Sequence, residues 1–479
     1  MPASNRLRNQ HLLWRAAFGP MAENSASLDT ISPINLWRLL LKTSEKNPEK
    51  FNVSQSMIDT YFSGIDGMQK RELTREQRKE IQDQSREGLK NLNILWLENM
   101  VNSEAQLREK MGLFWHGHFA CRFNNSFFQQ ELLQHIRENA LGNFKDILRL
   151  VSKSPAMLQF LNNQQNRKQH PNENFAREVM ELFTMGRGNY TENDVKEAAR
   201  AFTGWGFSSQ GEFVFRKNQH DDGSKTVLGK SGNFNGDDII NLLLEQKQTA
   251  KFVTKKVYKY FVNDTVDEAK VEWLSNRFYQ SGYEIKNLLE DIFTSDWFYA
   301  EKNIGTKIKS PVELLAGIRR FLPMQMENDQ SQLLFQRTLG QVLFYPPNVA
   351  GWLGGKNWID SSSLMLRLRI PQILTANEAM DIRPKADDDI MMGQMMEGVK
   401  RIKDVVKAGT ATIEWAAVNK IFEKIPKEKL LENISASVLQ TKSQVSNTIL
   451  EKHVNKETQE NYIKSTIVNL MCTPEYQLC

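Results

Sequence analysis

The segment Phe114-Trp115-His116-Gly117-His118-Phe119 carries the residues with the clearest potential for chemistry. Histidine is the commonest metal ligand and exchanges protons near neutral pH. On a continuing helix, residues two apart point about 200° away from each other, whereas in an extended segment they point the same way. If a helix ends at Gly117, both imidazoles face one pocket. The competing interpretation is that the aromatic neighbours bury the segment and the histidines only bond backbone carbonyls.

A second candidate is the pair Glu178 and Glu181, which lie three positions apart and therefore share one face of a predicted helix. Glu178 is at the edge of the apolar stripe of that helix, where a carboxylate requires a cation or a metal. Inward-facing Glu and His side chains are how helical bundles build metal centres. The alternative is a salt-bridge network of Arg177, Arg200 and Glu178 that fixes helix packing.

Two loops add further candidates. The polar segment His220-Asp221-Asp222-Gly223 could supply a third histidine and a carboxylate, or it could be only a turn. The glycine-rich segment from Pro347 to Trp358 contains Trp352, and its tryptophans could form an aromatic wall for a sugar or a peptide. They could equally lock the loop against the helices, and we favour that second interpretation.

These candidates together predict a metal-dependent enzyme, oxidative or hydrolytic. The expected metal ligands are His116, His118, His220 and Glu178. The expected catalytic residues are Glu178, Glu181, Arg177 and Asp221. Donor atoms of nitrogen and oxygen favour iron, manganese or zinc.

A non-catalytic helical binding or assembly protein is the alternative function. On that hypothesis the polar residues form buried salt bridges, and the tryptophan loop or the C-terminal helices contact a protein partner. A peptide- or glycan-handling factor at the cell envelope is a third hypothesis, and it requires an export signal. Convergence of the two histidines, Glu178 and the polar turn in one pocket would favour the enzyme.

The composition excludes several classes of protein. The 479 residues are 40% hydrophobic and 25% charged, as in ordinary globular proteins. The net charge of +5 is small, and opposite charges alternate along the predicted helices, so we expect no nucleic-acid partner. Three cysteines without a CxxC pair argue against a disulfide framework and a cysteine-rich zinc site. Phosphate-loop, dinucleotide, HExxH and GxSxG motifs are absent from the sequence.

We expect no transmembrane segment, because no apolar run reaches the roughly 18 residues of a membrane span. The charged start is followed by the segment Leu12–Gly19, which Arg15 interrupts, and this is unlike a signal peptide. The sequence as given therefore indicates a protein that stays inside the cell, and export would require a leader outside it.

Helical periodicity recurs almost throughout, so the predicted fold is mainly α, a multi-helical globular body with a small β-hairpin insertion. The hairpin is expected near 212–229, from strand-like runs at 213–215 and 226–229 around an Asp-Gly turn. The polar stretch Asp381 to Asp389 marks the best boundary. It divides a main domain, 1–380, from a helical C-terminal appendage, 390–479.

Four passages are long enough to compare with known families. They are Gln10–Gly19, Phe114–Phe119, Asn172–Gly186 with its continuation to Trp205, and Pro346–Trp352 with Trp358. Their order and spacing, from near residue 10 to about 378, resemble those of the bacterial "domain of unknown function 1800" family. The resemblance implies no established activity, so the ligand remains an unknown small molecule, peptide or glycan. It also implies relatives that are often exported, beside genes of a second uncharacterised family.

Overall fold

The computed structural model describes residues 3–25, 27–54, 74–208, 210–376 and 411–479. Helices account for most of them, and three small antiparallel sheets of two strands each complete the regular structure of this part of the chain. The mainly α fold class is therefore confirmed. The predicted boundary at Asp381 to Asp389 lies outside the described residues, and the division into two domains stays a prediction.

The helices of the first half of the chain run from the N-terminus to the strand region. They are α1 (Asn5–Ala16), α2 (Pro33–Thr43), α3 (Arg75–Asn102), α4 (Gln106–His118), α5 (Ser126–Asn139), α6 (Phe144–Lys153), α7 (Pro155–Phe160), α8 (Glu173–Glu178), a π-helix (Val179–Thr184) and α9 (Glu192–Ala201). The strands that follow are β1 (Trp205–Phe207), β2 (Phe213–Phe215), β3 (Lys225–Val227) and β4 (Lys230–Gly232).

The second half continues with helices and one further strand pair. These helices are α10 (Gly236–Leu244), α11 (Lys247–Phe261), α12 (Glu268–Gln280), α13 (Ile285–Phe293), α14 (Pro311–Phe321), α15 (Gln330–Leu339), α16 (Ser361–Ala376), α17 (Trp415–Phe422), α18 (Lys427–Val438), α19 (Asn447–Lys452) and α20 (Gln459–Met471). The strands are β5 (Met324–Met326) and β6 (Ala411–Ile413), which pair with each other.

Capping residues explain most helix starts. The hydroxyl of Ser154 accepts from the Met157 amide at the start of α7, and Thr191 forms a capping box at the start of α9. The sequence from Ser103 to Gln106 is also typical of a capping box, but the structure forms none there. The Ser103 hydroxyl accepts from the Ala105 amide and α4 begins only at Gln106, because Ser103 already closes α3 by donating its amide to Asn99.

The predicted hairpin has the right strands and the wrong pairing. β2 pairs with β1, and β3 pairs with β4, so two hairpins replace one. The turn between β3 and β4 is Leu228-Gly229, and both residues have positive φ, which is the conformation of a tight two-residue turn. The Asp-Gly segment is used elsewhere, because the Asp221 carboxylate accepts from the Gly223 amide and turns the chain locally.

Buried apolar side chains of the described residues form three clusters, and α4 contributes to two of them, with twelve of its thirteen residues buried. The C-terminal helices share a second apolar cluster with α14, α15 and α16. Backbone bonds between Lys307 and Cys479, and a bond from the Lys309 ammonium to the Tyr476 carbonyl oxygen (2.5 Å), tie the chain end to the main body. Within the described residues, no helix has the length and apolar character that crossing a bilayer requires.

Candidate functional site

A cavity of about 520 Å³ lies between α4, α11, the start of α14 and the loop that follows α15. This volume is in the range of sites for small organic ligands. Helix α4 contributes His118, α11 contributes Lys256 and Tyr260, and the loop contributes Trp352 and Trp358. The cavity therefore joins the predicted histidine segment to the predicted tryptophan loop, two passages separated by more than 200 residues of sequence.

The π-helix Val179–Thr184 supplies the acceptors at one edge of this cavity. Its wider turn is visible in the bond from the Met185 amide to the Met180 carbonyl oxygen, five residues back. The Phe183 carbonyl oxygen lies 3.1 Å from His118 Nε2, and the Leu182 carbonyl oxygen accepts from Lys256 Nζ at 3.0 Å. Two carbonyls of one irregular turn thus orient the imidazole and the ammonium.

These contacts fix the tautomer of His118. A carbonyl oxygen only accepts, so Nε2 carries the proton that it donates to Phe183. The other ring nitrogen, Nδ1, accepts from Lys256 Nζ at 3.3 Å. Burial and the Lys256 charge hold the pKa of His118 well below its usual value, so the ring is neutral at pH 7.

Lys256 is a cation without a carboxylate partner in the described part of the chain. Its ammonium bonds one carbonyl oxygen and one neutral imidazole, and it lies 4.9 Å from the centre of the Phe252 ring. Burial lowers the pKa of Lys256 to about 8, which still leaves it mostly charged at pH 7. A desolvated charge of this kind is costly unless a counter-ion arrives.

The other charges around the cavity are mostly paired. Lys307 Nζ lies 2.6 Å from Asp264 Oδ1, and the Glu313 carboxylate bonds the ammonium of Lys110 behind the wall. Burial opposes ionisation of Glu313, but Lys110 outweighs it and lowers the Glu313 pKa to about 2. The lining carries four lysines and two carboxylates, so its charge balance is positive.

His116 contacts the loop after α15 and does not line the cavity. Its Nε2 accepts from the Phe344 amide at 3.1 Å, and its ring centre lies 5.8 Å from that of Trp352. Phe344 has φ of +70°, a strained conformation for a residue with a side chain, and the bond to His116 helps to hold it. Burial lowers the pKa of His116 to about 3, so it stays a neutral acceptor.

Gly351 lets the loop approach α4 closely. It has φ of +78°, and a Cβ atom there would lie 2.5 Å from the Gly117 carbonyl oxygen. The loop then exposes Trp352 partly to the cavity, whereas Trp358 is buried in the wall. The tryptophans thus lock the loop and also line a cavity, so the two interpretations of this segment are compatible.

Helix α4 continues through His118, so the condition for two histidines facing one pocket is not met. His116 contacts Trp96, Phe344 and Trp352, on the side of the loop. His118 contacts Phe183 and Lys256, on the side of the π-helix. The roughly 200° between alternate helical residues accounts for this separation.

The polar turn is held by its own partners. His220 is buried, and its Nδ1 lies 2.9 Å from the Thr203 carbonyl oxygen. Asp221 accepts from Arg200 Nε at 2.7 Å, and this hydrogen bond lowers the Asp221 pKa against the effect of burial. Neither residue lines the cavity.

Glu178, Glu181 and Arg177 are likewise outside the cavity lining. Arg177 pairs with Glu173 and Glu192, so the predicted network of Arg177, Arg200 and Glu178 is not formed as such. Glu181 accepts from the Tyr190 hydroxyl at 2.7 Å. Glu178 is half-buried, and burial together with the Glu181 charge raises its pKa.

The four predicted ligands therefore lie apart, His116 beside the loop, His118 beside the π-helix, His220 in the polar turn and Glu178 at the end of α8. Among the described residues, no group of three or more His, Cys, Asp or Glu side chains could jointly hold a metal ion. Binding of iron, manganese or zinc by these residues stays a prediction.

Sequence reasoning missed Lys256 and Tyr260, both on α11. A signal was present, because Lys256 follows Val253 by three positions and precedes Tyr260 by four, at the edge of the buried face of an amphipathic helix. Lysine at such an edge is commonly read as a chain that reaches solvent. The carbonyl oxygen that holds Lys256 is that of Leu182 in the π-helix, and no local sequence pattern predicts that geometry.

Comparison with known proteins gives one match. The family model described as "Protein of unknown function (DUF1800)" matches residues 11–478, which include all the elements around the cavity and the described C-terminal helices. No curated protein and no solved structure matches the chain. The match extends about 100 residues beyond the passages that carry the resemblance in the sequence. The chain belongs to the DUF1800 family.

Proposed function

We propose that the cavity is a binding site for a small organic anion and that Lys256 is the residue that contacts its negative charge. The observation that carries this proposal is the environment of Lys256 Nζ. It lines the cavity, it is held by the Leu182 carbonyl oxygen and His118 Nδ1, and it forms no ion pair within the described residues.

The physical argument concerns the cost of an isolated charge. An ammonium held among apolar side chains destabilises a fold unless it gains a counter-ion. Evolution commonly tolerates such a cost at functional sites. A carboxylate or phosphate of a ligand would supply that counter-ion, and the excess of lysines over carboxylates in the lining favours a ligand of that sign.

His118 has a supporting role in this proposal. His118 Nδ1 accepts one hydrogen bond from the Lys256 ammonium, and the Leu182 carbonyl oxygen accepts a second. The third N–H of Lys256 is then available for a ligand in the cavity. A preorganised donor of this kind costs little to order when the ligand arrives. His118 is thus a positioning residue for Lys256.

The test is calorimetric titration of the full chain with a panel of carboxylates and phosphate esters. The variant Lys256→Met keeps the length of the side chain and removes the charge. Its matched control is Lys255→Met, one position along the same helix, where the lysine pairs with Glu268 and does not line the cavity. We expect loss of anion binding in Lys256→Met alone. Equal binding by the two variants would contradict the proposal.

The metal-dependent enzyme remains a separate prediction, and it competes with the anion site for the same imidazole. A metal at His118 Nδ1 would displace the Lys256 ammonium, because two cations repel each other at that distance. Elemental analysis of the wild type, His116→Ala and His118→Ala tests it. Stoichiometric metal that both variants lose would favour the metal centre, and a metal-free wild type that takes up no added iron, manganese or zinc would remove it.

A further inference from the structure

The aromatic side chains that line the cavity indicate the shape of the ligand, in addition to its charge. Trp352 is partly exposed to the cavity, and the buried Trp358 also lines it. Phe114 on α4 and Tyr260 on α11 line the same cavity. Aromatic faces bind flat partners, because stacking adds to the burial of apolar area. The Lys256 ammonium lines the same cavity, so one ligand can meet a cation and an aromatic face together.

The geometry points to a ring-bearing anion as the ligand, with its ring on Trp352 and its carboxylate on Lys256. This inference rests on the proposed anion site and narrows it to a chemical class. Sugar acids and aromatic acids share that chemistry, since each joins a carboxylate to a ring with an apolar face.

Trp352 is held in place before any ligand arrives. His116 contacts its ring and accepts from the Phe344 amide earlier in the same loop, and Gly351 lets the loop lie against the Gly117 carbonyl. Tryptophan has only two side-chain torsions, so a fixed ring binds with a small entropy cost. We assign His116 as a positioning residue that acts through this loop.

The mouth of the cavity extends the apolar surface. Leu353 follows Trp352 directly and is 84% exposed, the most exposed of the large hydrophobic side chains in the described residues. It lines the cavity together with Trp352, so apolar surface continues from the interior to the rim. A ligand longer than one ring would therefore find a second apolar contact at Leu353.

Calorimetric titration with matched pairs of anions tests the ring. Glucuronate and gluconate have six carbons and one carboxylate each, but only the first forms a ring. Phenylacetate and hexanoate make the aromatic pair. We expect the ring-bearing member of one pair to bind roughly three- to tenfold more tightly. The pair that shows this preference distinguishes a sugar acid from an aromatic acid.

The variant Trp352→Leu should abolish that preference, because it removes the aromatic face and keeps an apolar side chain in the wall. Trp273→Leu is the control, because Trp273 lies exposed on α12, away from the cavity. A wild type without ring preference, or a Trp352→Leu variant that keeps it, would overturn the inference. In either case, anion binding that depends on Lys256 would leave the proposed function standing. A wild type that binds no anion would remove both.

A second pair of variants tests His116. We expect His116→Gln to keep the ring preference, since its amide oxygen can accept from the Phe344 amide, and His116→Leu to lose it. Circular dichroism confirms folding of each variant first. If His116→Leu folds and still prefers rings, the positioning role is wrong.

Discussion

Lys256 on α11 and Arg200 on α9 are both partly buried cations on helices, and their surroundings differ. Arg200 bonds two carboxylates, with Nε 2.7 Å from Asp221 Oδ2 and Nη1 2.9 Å from Glu197 Oε2. Lys256 bonds a carbonyl oxygen and a neutral imidazole. Hydrogen bonds to its carboxylates raise the pKa of Arg200, whereas burial lowers that of Lys256.

The difference separates structural charge from available charge. The carboxylates around Arg200 satisfy the guanidinium within the fold, so this region has a complete structural explanation. The region around Lys256 leaves a positive charge for which the described residues provide no counter-ion. Perturbed groups in clefts are candidates for function for that reason.

Replacement of Gly351 by Ala should have the largest effect, because it damages the cavity wall. Positive φ costs about 1–2 kcal/mol for alanine, and overlap with the Gly117 carbonyl adds about 1–3 kcal/mol. Gly340→Ala, at the end of α15, is the control, since Gly340 has φ of +86° in the left-handed region and no atom within 4 Å of the added Cβ. Urea unfolding measures both, and equal losses of stability would contradict the close approach.

Acidification should lower the free energy of unfolding through His116. Its folded pKa of about 3 lies below the unfolded value of 6.5, so its contribution is complete above pH 6.5 and is lost as the pH falls towards 3. At pH 5 this amounts to about 2 kcal/mol. Urea unfolding at pH 7 and pH 5 should show a smaller loss for His116→Gln than for the wild type. An identical loss in both proteins would refute the assignment.

The variant Lys256→Met should be more stable than the wild type by about 1 kcal/mol, although it loses anion binding. It removes a desolvated charge and gives up the bond to the Leu182 carbonyl oxygen, and the first effect is larger. Thermal unfolding against Lys255→Met, which loses only an exposed ion pair, measures this. Clear destabilisation of Lys256→Met would mean that the lysine serves the fold.

The smallest effect is expected for Asp221→Asn. It weakens one partly exposed ion pair, while Arg200 keeps Glu197 and the asparagine oxygen can still accept from Gly223. The loss should be about 0–1 kcal/mol, with no change in anion affinity. Urea unfolding and calorimetric titration check the two parts. Impaired anion binding would show that the turn affects the cavity, and the Arg200 region would then not be purely structural.

The mainly helical character of this protein could be predicted from its sequence alone. Apolar periodicity and caps such as Ser154 and Thr191 located the helices, since these signals act over four residues or fewer. The sequence also located the strands at Phe213 and Lys225 within about a residue, and the motifs that identify the family. The capping box at Ser103 does not form because the Ser103 amide donates to the Asn99 carbonyl oxygen instead. The predicted hairpin does not form because β2 pairs with β1 and β3 pairs with β4.

Packing between distant parts of the chain determines which of these elements form a site. His118 was singled out by its residue type, but its partner Lys256 is 138 residues away, and the carbonyls that orient both belong to the π-helix. His116 and His118 were adjacent candidates in the sequence, and the continuing helix sends them to opposite sides of α4. Local sequence fixes which way a side chain leaves its helix, whereas what it meets there depends on how distant helices pack.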